Sequence, residues 1–491
     1  MRNRPYLSNI LVMLMMGTVI ALSLLSLSHQ SLRLDESQSL YQTSHTPGKL
    51  LSIVAQDVHV PFYHLLLHTW QIFLGNGVAT DRVLSLIFFV LTIPVVYATG
   101  KRFLGVGEGL FAAGLVTLSP FLNWYGNELR MYSMLTLFTA CSQYLFLRAR
   151  QTGGTPYWIF YFIISLMGVF THYFFWLILL CQGIFYLVYQ SDFPRRSFPK
   201  ISAVFVLLLT AFGPWLLYVY HLGLASTTQP LLSKPTSINL FGTYAQFLFG
   251  FQDDHLNTII VSFWPLIVLL GFVALQRERK VPIEARYAFF SSFVPIILIF
   301  AVSIALKPVF LSRYLIIAVP GLYFFLAWLT SIYPPRITWV VRALLLAGMA
   351  GGLYVQLTSN NIPVKENYSQ AATYLDQHAT DQDIIIVSAP FTVYPIEYYY
   401  KGAASIATIP VWNRFQPGGI PPFVEAQLPS QVDTLKGTHQ TAWLLLSYDQ
   451  GYQDVVRAYF DTHFQQLTKQ ELSPGLTLYS YKLRYDPQIY K

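Results

Sequence analysis

Long apolar runs separated by short polar segments are the dominant pattern along this chain. Each run is about 17 to 22 residues long, which at about 1.5 Å per residue lets a helix cross a hydrocarbon core about 30 Å thick. The pattern therefore predicts an α-helical polytopic membrane protein with about eleven transmembrane helices. The runs fall near residues 9–28, 83–100, 108–124, 133–149, 157–171, 173–190, 201–220, 258–275, 287–306, 314–331 and 338–356.

The pattern changes after residue 357. A polar, helix-like stretch from Tyr368 to His378 leads into a run typical of a buried strand, Asp383 to Ser388, and a second such run covers Ala442 to Ser447. We therefore expect a transmembrane domain over residues 1–357 and a soluble α/β domain over 358–491. Eleven spans are an odd number, so an inside N-terminus predicts that the α/β domain is extracytoplasmic.

Two predicted outer loops are long. The first covers residues 29–82 and contains Pro61 to Leu74, a semi-apolar, histidine-containing stretch that favours helices lying at the membrane interface. The second covers residues 221–257 and carries the acidic pair Asp253 and Asp254.

Composition excludes a soluble protein. Hydrophobic residues make up 54% of the 491 residues and charged residues only 11%, against about 25% charged residues in a typical soluble domain. The net charge of +8 comes from Lys and Arg scattered between the apolar runs, so nucleic acid is not an expected partner. Cys141 and Cys181 both fall within predicted spans, which gives no disulfide framework.

The distribution of basic residues predicts the orientation. Fifteen lie on the side of the N-terminus and seven on the other side, so the first side is assigned to the cytoplasm. The fifteen are Arg2, Arg4, Lys101, Arg102, Arg148, Arg150, Arg195, Arg196, Lys200, Arg277, Arg279, Lys280, Arg286, Arg336 and Arg342; the seven are Arg33, Lys49, Arg82, Arg130, Lys234, Lys307 and Arg313.

An acidic pair, Asp35 and Glu36, follows the first span within Arg33-Leu34-Asp35-Glu36. A carboxylate close to an apolar surface can have a raised pKa and serve as a general base. A solvated loop start is the alternative.

The first outer loop continues with Asp57-Val58-His59-Val60-Pro61-Phe62-Tyr63-His64. His64 and His68 are four residues apart and share one face of a helix. This cluster contains enough N and O ligands for a divalent cation, although histidines and tyrosines at an interface also anchor helices in the membrane.

Two further outer turns carry charges at membrane depth. Glu128 and Arg130 lie two residues apart shortly before Tyr132, and such charges are costly without a partner or ligand. Lys307 and Arg313 flank a later outer turn and suit a phosphate group. A structural Glu–Arg pair and snorkelling of basic side chains to lipid headgroups are the alternatives.

These motifs together resemble the GT-C superfamily of membrane glycosyltransferases, in particular the protein O-mannosyltransferase-like group that includes the lipid A aminoarabinose transferase. The resemblance covers about residues 30–330. It rests on Asp35-Glu36, Asp57-x-His59-x-Pro61-x-Tyr63, Ser119-Pro120-Phe121 with Tyr125-x-x-Glu128-x-Arg130-Met131-Tyr132, Thr171-His172-Tyr173-Phe174 and Arg313-Tyr314-Leu315.

The resemblance implies an inverting transfer of a sugar from a polyprenyl-phosphate-linked donor to a hydroxyl of an acceptor glycan, lipid or protein. The catalytic acid of the family matches Asp35, with Glu36 beside it. The donor phosphate is expected at Arg130, Arg313 and Lys307. No cofactor is certain, and a divalent cation is possible. Together with the predicted orientation, the resemblance implies an integral protein of the bacterial inner (plasma) membrane with its active site facing outside.

The expected substrate pocket is completed by a further set of residues. They are Asp57, His59, Tyr63, Glu128, Tyr132 and His172. The family has a Gln before the Glu of its third motif, where this chain has Asn127.

A transporter or flippase for a lipid-linked glycan, or a non-catalytic scaffold, remain alternative functions. Transporters commonly place charges at mid-membrane in repeated halves. Here the charges cluster at the predicted outer rim and no internal repeat is visible, which favours the transferase.

Overall fold

A computed structural model describes residues 5–27, 30–57, 59–222, 232–251, 262, 276, 281–414, 419–447 and 449–484. The chain divides into two compact units. Within the described residues, the helical unit comprises 5–27, 59–222, 232–251 and 281–362, and the mixed unit comprises 30–57 and 363–484 with its gaps. Several predicted features lie outside the described residues, namely most of the span at 258–275, the pair Asp253 and Asp254, and Arg2, Arg4, Arg277, Arg279 and Lys280.

Helices make up most of the described chain. In chain order they are α1 (Pro5–Leu27), α2 (Leu34–Thr43), α3 (Pro47–Gln56), α4 (Phe62–Leu74), α5 (Val78–Phe103), α6 (Val106–Leu118), α7 (Pro120–Gly126), α8 (Tyr132–Thr152), α9 (Thr155–Val169), α10 (Phe175–Val188), α11 (Ser197–Leu222), α12 (Ser237–Phe249), α13 (Ile283–Ala305), α14 (Val319–Ser331), α15 (Pro335–Thr358), α16 (Tyr368–His378), α17 (Val393–Tyr399), α18 (Leu428–Lys436) and α19 (Gln453–His463).

The predicted polytopic membrane fold is confirmed. Every predicted span within the described residues falls on a helix or on two consecutive helices. Six of the described helical segments are long and apolar enough to cross a bilayer. They are Tyr6–Leu27, Val78–Phe103, Ser197–Leu222, Ile283–Ala305, Tyr314–Ser331 and Pro335–Thr358, and shorter apolar helices are α6, α9 and α10.

One predicted span, 108–124, is broken into α6 and α7. Ser119 joins them with ψ 114°, an extended conformation. The residue before a proline is disfavoured in the helical region, and Pro120 has no N–H to continue the hydrogen-bond ladder. The Ser119 hydroxyl instead accepts a bond from Leu122 N (3.1 Å) and restarts the chain as α7.

The predicted second outer loop contains an apolar helix, α12, which the sequence analysis assigned only to the loop. Tyr323 of α14 donates a hydrogen bond to the Phe247 carbonyl near the end of α12 (2.5 Å), and its hydroxyl oxygen lies 2.8 Å from Ser119 Oγ. Gln356 of α15 donates to the Pro120 carbonyl (2.9 Å). These bonds hold the break between α6 and α7 against α12, α14 and α15.

Basic residues mark one end of α8. Arg102, at the end of α5, donates to Gln151 (2.8 Å), and Arg150 forms an ion pair with Glu284 of α13. Helix α8 has 21 residues, so its ends lie about 31 Å apart at about 1.5 Å per residue. Arg130 precedes the opposite end. Arg102 and Arg150 therefore lie at one end of α8 and Arg130 at the other.

The mixed unit contains a five-stranded sheet, which confirms the predicted α/β domain. Its strands are β1 (Ile384–Ser388), β2 (Ser405–Thr408), β3 (Thr441–Ser447), β4 (Gln465–Ser473) and β5 (Leu476–Lys482), in the order β2-β1-β3-β5-β4. Strand β1 pairs in parallel with β2 and β3, whereas β5 pairs antiparallel with β3 and β4.

The sheet of the mixed unit has an apolar core on each face. Ile385 and Val387 of β1 pack in one core, and Ile384 and Ile386 pack in the other, as expected for side chains that alternate along a strand. Helix α16, predicted at these residues from the sequence, contributes to the first core through Leu375.

Residues 30–57 belong to the mixed unit, whereas the sequence analysis placed residues 29–82 together in a loop of the transmembrane domain. The division between the units falls between residues 57 and 59, so α2 and α3 belong to the mixed unit, where α2 packs on α17, and α4 belongs to the helical unit, where it packs on α5. Asp35, Glu36 and Asp57 are therefore in the mixed unit.

Candidate functional site

The candidate site of the helical unit is built on the buried turn between α7 and α8. Helix α7 is seven residues long and fully buried. Gly126, its last residue, has no room for a side chain, since a Cβ atom there would lie 2.4 Å from the ring of Phe89 on α5. The turn that follows carries Glu128, which is 3% exposed, and Arg130, which is 2% exposed.

The backbone and the side chain of Arg130 are both held. Tyr63 of α4 lies 3.1 Å from Ser85 of α5, hydroxyl to hydroxyl, and Ser85 donates to the Arg130 carbonyl (3.2 Å). The Nη2 atom of Arg130 lies 2.8 Å from Nε2 of His59. Because a guanidinium group can only donate hydrogen bonds, Nε2 of His59 accepts this bond and therefore carries no proton.

A second cation and a set of aromatic rings adjoin this turn. The ring of His172, in the connection between α9 and α10, lies 6.2 Å from Tyr132 and 5.3 Å from Tyr314. The guanidinium of Arg313 lies over the Tyr314 ring at 5.5 Å. Phe174 N donates to Nδ1 of His172 (3.1 Å), which fixes the orientation of the imidazole.

The pKa values of the buried histidines reflect the charges around this turn. These histidines lie outside the spanning helices. Burial and then the charge of Arg130 lower the pKa of His172 to about 3, with a further contribution from Arg313. Burial, Arg130, His64, His172 and Arg313 together lower the pKa of His59 well below its usual range. Both guanidinium groups therefore lower the pKa of the same two imidazoles.

The structure thus brings together most of the predicted pocket residues of the helical unit. Lys307 differs from them because it is exposed, between α13 and the 3₁₀ segment Tyr314–Ala318. The residues placed around the α7–α8 turn are His59, Tyr63, Glu128, Arg130, Tyr132, His172 and Arg313.

The predicted acidic residues lie in the mixed unit. Asp35 is half-buried in the first turn of α2. Glu36 is fully buried, and its Oε2 accepts a bond from Arg33 N (2.9 Å) at the start of the same helix. Asp57 follows α3 and accepts bonds from Gln38 and Gln42 of α2 (3.0 Å each). Glu36 therefore holds the start of α2, and Asp57 ties α2 to the end of α3.

The described residues contain no group of three or more His, Cys, Asp or Glu side chains arranged to hold a metal ion. His64 lies 5.8 Å from His59, ring to ring, and both stand beside Arg130. A neighbouring guanidinium opposes a cation at these imidazoles. The possible divalent cation stays a prediction without described ligands.

Sequence reasoning missed Ser85 and the role of Arg82. Ser85 lies within an apolar span, where a lone hydroxyl is common and gives no local signal, yet it links Tyr63 to Arg130. Arg82, one of the seven predicted outer cations, donates to the Leu27 carbonyl at the end of α1 (2.8 Å). That bond places a cation at a helix C-terminus, which is a structural role.

Comparisons with known proteins give a family match over part of the helical unit. Residues 59–218 match the family model of dolichyl-phosphate-mannose-protein mannosyltransferases. No curated protein matches the chain by sequence.

Solved structures share the fold over nearly the whole chain. The apo structure of ArnT from Cupriavidus metallidurans matches with a TM-score of 0.63 and 14% identity, over 96% of this chain and 97% of that one. ArnT bound to undecaprenyl phosphate matches with a TM-score of 0.62 and 13% identity, over the same shares of the two chains, 96% and 97%.

A third match is the oligosaccharyltransferase AglB from Archaeoglobus fulgidus, in complex with an inhibitory peptide and a dolichol-phosphate. It has a TM-score of 0.51 and 12% identity, over 96% of this chain and 74% of that one. The predicted resemblance to the GT-C membrane glycosyltransferases is thus confirmed, and the chain is an integral membrane protein with their fold.

Proposed function

We propose that this protein is an inverting glycosyltransferase that moves a sugar from a polyprenyl-phosphate-linked donor to an acceptor hydroxyl on the outer face of the membrane. The observation that carries the proposal is the position of two guanidinium groups beside the same set of rings. Arg130 lies 2.8 Å from His59, and Arg313 lies over Tyr314, whose ring is 5.3 Å from the ring of His172. Two such cations suit the phosphate of the donor.

The comparisons support a phosphate-linked lipid as the ligand. ArnT has been solved with undecaprenyl phosphate and AglB with a dolichol-phosphate, and both share the fold of this chain. Arginine is suited to phosphate because its planar fork of donors matches two phosphate oxygens.

The proposed reaction requires a leaving phosphate and a base. The acceptor oxygen attacks the anomeric carbon while the bond from that carbon to the phosphate oxygen breaks on the opposite face. The bonding electrons leave with polyprenyl phosphate, whose increased negative charge Arg130 and Arg313 stabilise. The acceptor proton passes to the carboxylate of Asp35, which acts as the general base.

The protein context favours Asp35 over its neighbours for this role. Glu36 caps the backbone of α2 and Asp57 holds two glutamines of the same helix, whereas the Asp35 side chain is half-exposed. A base needs access to the hydroxyl from which it takes the proton.

The acceptor class is a glycan, a lipid or a protein hydroxyl, and we place the enzyme in the bacterial inner membrane. The predicted orientation puts the donor site at the outer ends of the helices. A divalent cation is not required by this mechanism, because the two guanidinium groups supply the positive charge.

Transfer by purified protein tests the proposal. A panel of radiolabelled polyprenyl-phosphate sugars is incubated with the protein in detergent, and released polyprenyl phosphate is measured together with binding of undecaprenyl phosphate. We expect Asp35→Asn to lower turnover at least about 100-fold while lipid binding is retained, because the amide cannot accept a proton.

Glu36→Gln is the matched control, since an amide oxygen can still accept the bond from Arg33 N. Its loss of turnover should be much smaller. Near-normal turnover by Asp35→Asn would remove Asp35 from the mechanism and make Asp57 the leading candidate.

A further inference from the structure

The segment that leads into Asp35 is hydrogen-bonded to two residues of the α/β domain. One partner is 367 residues away in sequence and the other is 338 residues away. Leu32 N donates to the hydroxyl of Tyr399 (2.9 Å), and Ser369 N donates to the hydroxyl of Ser31 (3.2 Å). Leu32 is fully buried and Ser31 is 9% exposed. Two hydrogen bonds, each from a backbone N–H to a side-chain hydroxyl, therefore hold residues 31 and 32 just before α2.

Both partners belong to helices anchored on the sheet. Tyr399 is the last residue of α17, which places Ile396 in the apolar core. Ser369 is in the first turn of α16, whose Tyr368 hydroxyl lies 2.7 Å from Ser447 Oγ at the end of β3. A close-packed core resists displacement, so these helices provide a rigid reference for residues 31 and 32.

Further contacts hold the body of α2. The ring of Tyr41 lies 4.9 Å from the ring of Tyr394, which is also on α17. On the other side, Asp57 accepts bonds from Gln38 and Gln42 and ties α2 to the end of α3. Helix α2 is thus held before its first turn by Tyr399 and along its length by Tyr394 and Asp57.

We propose that Tyr399 and Ser31 are positioning residues through which the α/β domain fixes the catalytic carboxylate Asp35. This inference rests on the proposed function, because it takes Asp35 as the general base. It gives the C-terminal domain a part in the chemical step. Small displacements of a base reduce its efficiency, since proton transfer requires hydrogen-bond distance to the acceptor.

Tyr399→Phe tests the inference because it removes one hydroxyl and keeps the ring. Tyr400→Phe is a closely matched control: its hydroxyl also accepts one backbone N–H, from Ala404 (3.0 Å), but within the α/β domain. Ser31→Ala removes the second bond and provides an independent variant. Each is measured in the full-length protein by amide hydrogen exchange of residues 31–36, by turnover and by affinity for undecaprenyl phosphate.

We expect Tyr399→Phe and Ser31→Ala to raise exchange of this segment and to lower turnover about 3- to 10-fold, as for the loss of one hydrogen bond. Affinity for undecaprenyl phosphate should stay within about twofold of the parent, and Tyr400→Phe should change neither exchange of residues 31–36 nor turnover. A merely structural role would reduce affinity and turnover together.

The inference is overturned if Tyr399→Phe and Ser31→Ala behave like Tyr400→Phe while Asp35→Asn is inactive. It is also overturned if exchange rises but turnover stays at the control value. Full activity of Asp35→Asn would instead contradict the proposed base and with it the catalytic part of this inference, and the exchange measurement would still decide whether the two bonds hold the segment.

Discussion

At the scale of single residues, the proposed phosphate site depends on two cations from different parts of the chain. Arg130→Ala and Arg313→Ala should each weaken binding of undecaprenyl phosphate by about 1.5–3 kcal/mol, the range for hydrogen bonds to a charged group. Binding is measured by native mass spectrometry or by competition in detergent.

Two lysines serve as comparisons for the arginine variants. Lys101 is exposed at the opposite end of the helical unit from Arg130, so Lys101→Ala should leave the affinity unchanged. Lys307 is exposed, so its variant should lose less affinity than either arginine variant, because water screens an exposed charge. Normal binding by both arginine variants would place the donor phosphate elsewhere.

The buried histidines predict acid sensitivity. Burial, with the charge of Arg130, lowers the pKa of both His64 and His172 to about 3. The folded protein keeps these rings neutral, whereas the unfolded chain takes up protons below about pH 6.5. The free energy of unfolding should therefore be highest above pH 6.5 and fall by about 1.4 kcal/mol per pH unit per histidine as the pH drops toward 3.

Thermal unfolding in detergent between pH 7.5 and pH 5 measures this effect. His64→Gln should flatten the dependence, because it removes one titrating group, while its Tm at pH 7.5 provides the reference for lost packing. Comparison of His64→Gln with the parent at each pH isolates the contribution of this one ring. An identical slope in the His64 variant and the parent would contradict the assignment.

Residues of the candidate site could be recognised from the sequence only where their chemistry was unusual for their position. Arg130 and Arg313 were singled out because cations at predicted outer helix ends oppose the positive-inside pattern. Ser85 was not, because a hydroxyl within an apolar run is ordinary. The hydrogen bond that gives it importance, to the Arg130 carbonyl, is a tertiary contact between residues 45 positions apart.

At the scale of elements, the short helix α7 sets where Glu128 and Arg130 lie, and its packing depends on Gly126. Gly126→Ala should destabilise the protein by about 1–3 kcal/mol, because the added methyl group would overlap the Phe89 ring. It should also reduce affinity for undecaprenyl phosphate by moving the turn that carries Arg130.

Gly107→Ala is a matched control for Gly126→Ala. Gly107 is in α6, where an added Cβ atom meets no heavy atom within 4 Å. Alanine is favoured over glycine in a helix by about 0.5–1 kcal/mol, so this variant should be as stable as the parent or more so. Equal stability of the two variants would show that the α5–α7 contact tolerates a methyl group.

Long apolar runs predicted most helices, because a helix is one of the few structures that can span a membrane. The lengths of these runs did not predict the short helix α12 or the break at Ser119. Helix α12 has 13 residues, too few to span, and its residues were predicted only as part of the second outer loop. The break at Ser119 had a local signal in Pro120, but the run of apolar residues on both sides outweighed it.

At the scale of the whole molecule, the sequence predicted two domains but not their membership. The bonds from Leu32 and Ser31 to Tyr399 and Ser369 join segments more than 300 residues apart, and neither segment carries a local pattern that indicates the other. The α/β domain itself was predictable, since buried parallel strands such as β1 have continuous apolar sequences.

Topology is the last prediction, and it follows from the unequal distribution of basic residues. Asp449, in the mixed unit, should lie outside the cell, and Arg195, between α10 and α11, should lie in the cytoplasm. Single cysteines at these positions, in a chain with Cys141→Ala and Cys181→Ala, are labelled in intact spheroplasts by a membrane-impermeant maleimide. Both residues are exposed, so accessibility within the fold does not bias the comparison.

We expect the cysteine at position 449 to react in intact spheroplasts and the one at 195 to react only after the membrane is permeabilised. Moving loops rich in Lys and Arg across the membrane is disfavoured, so the side with more basic residues stays in the cytoplasm. Labelling of the permeabilised sample shows that each thiol can react. The reverse pattern would place the mixed unit, and Asp35 with it, in the cytoplasm, and the donor would then have to be used on the inner face.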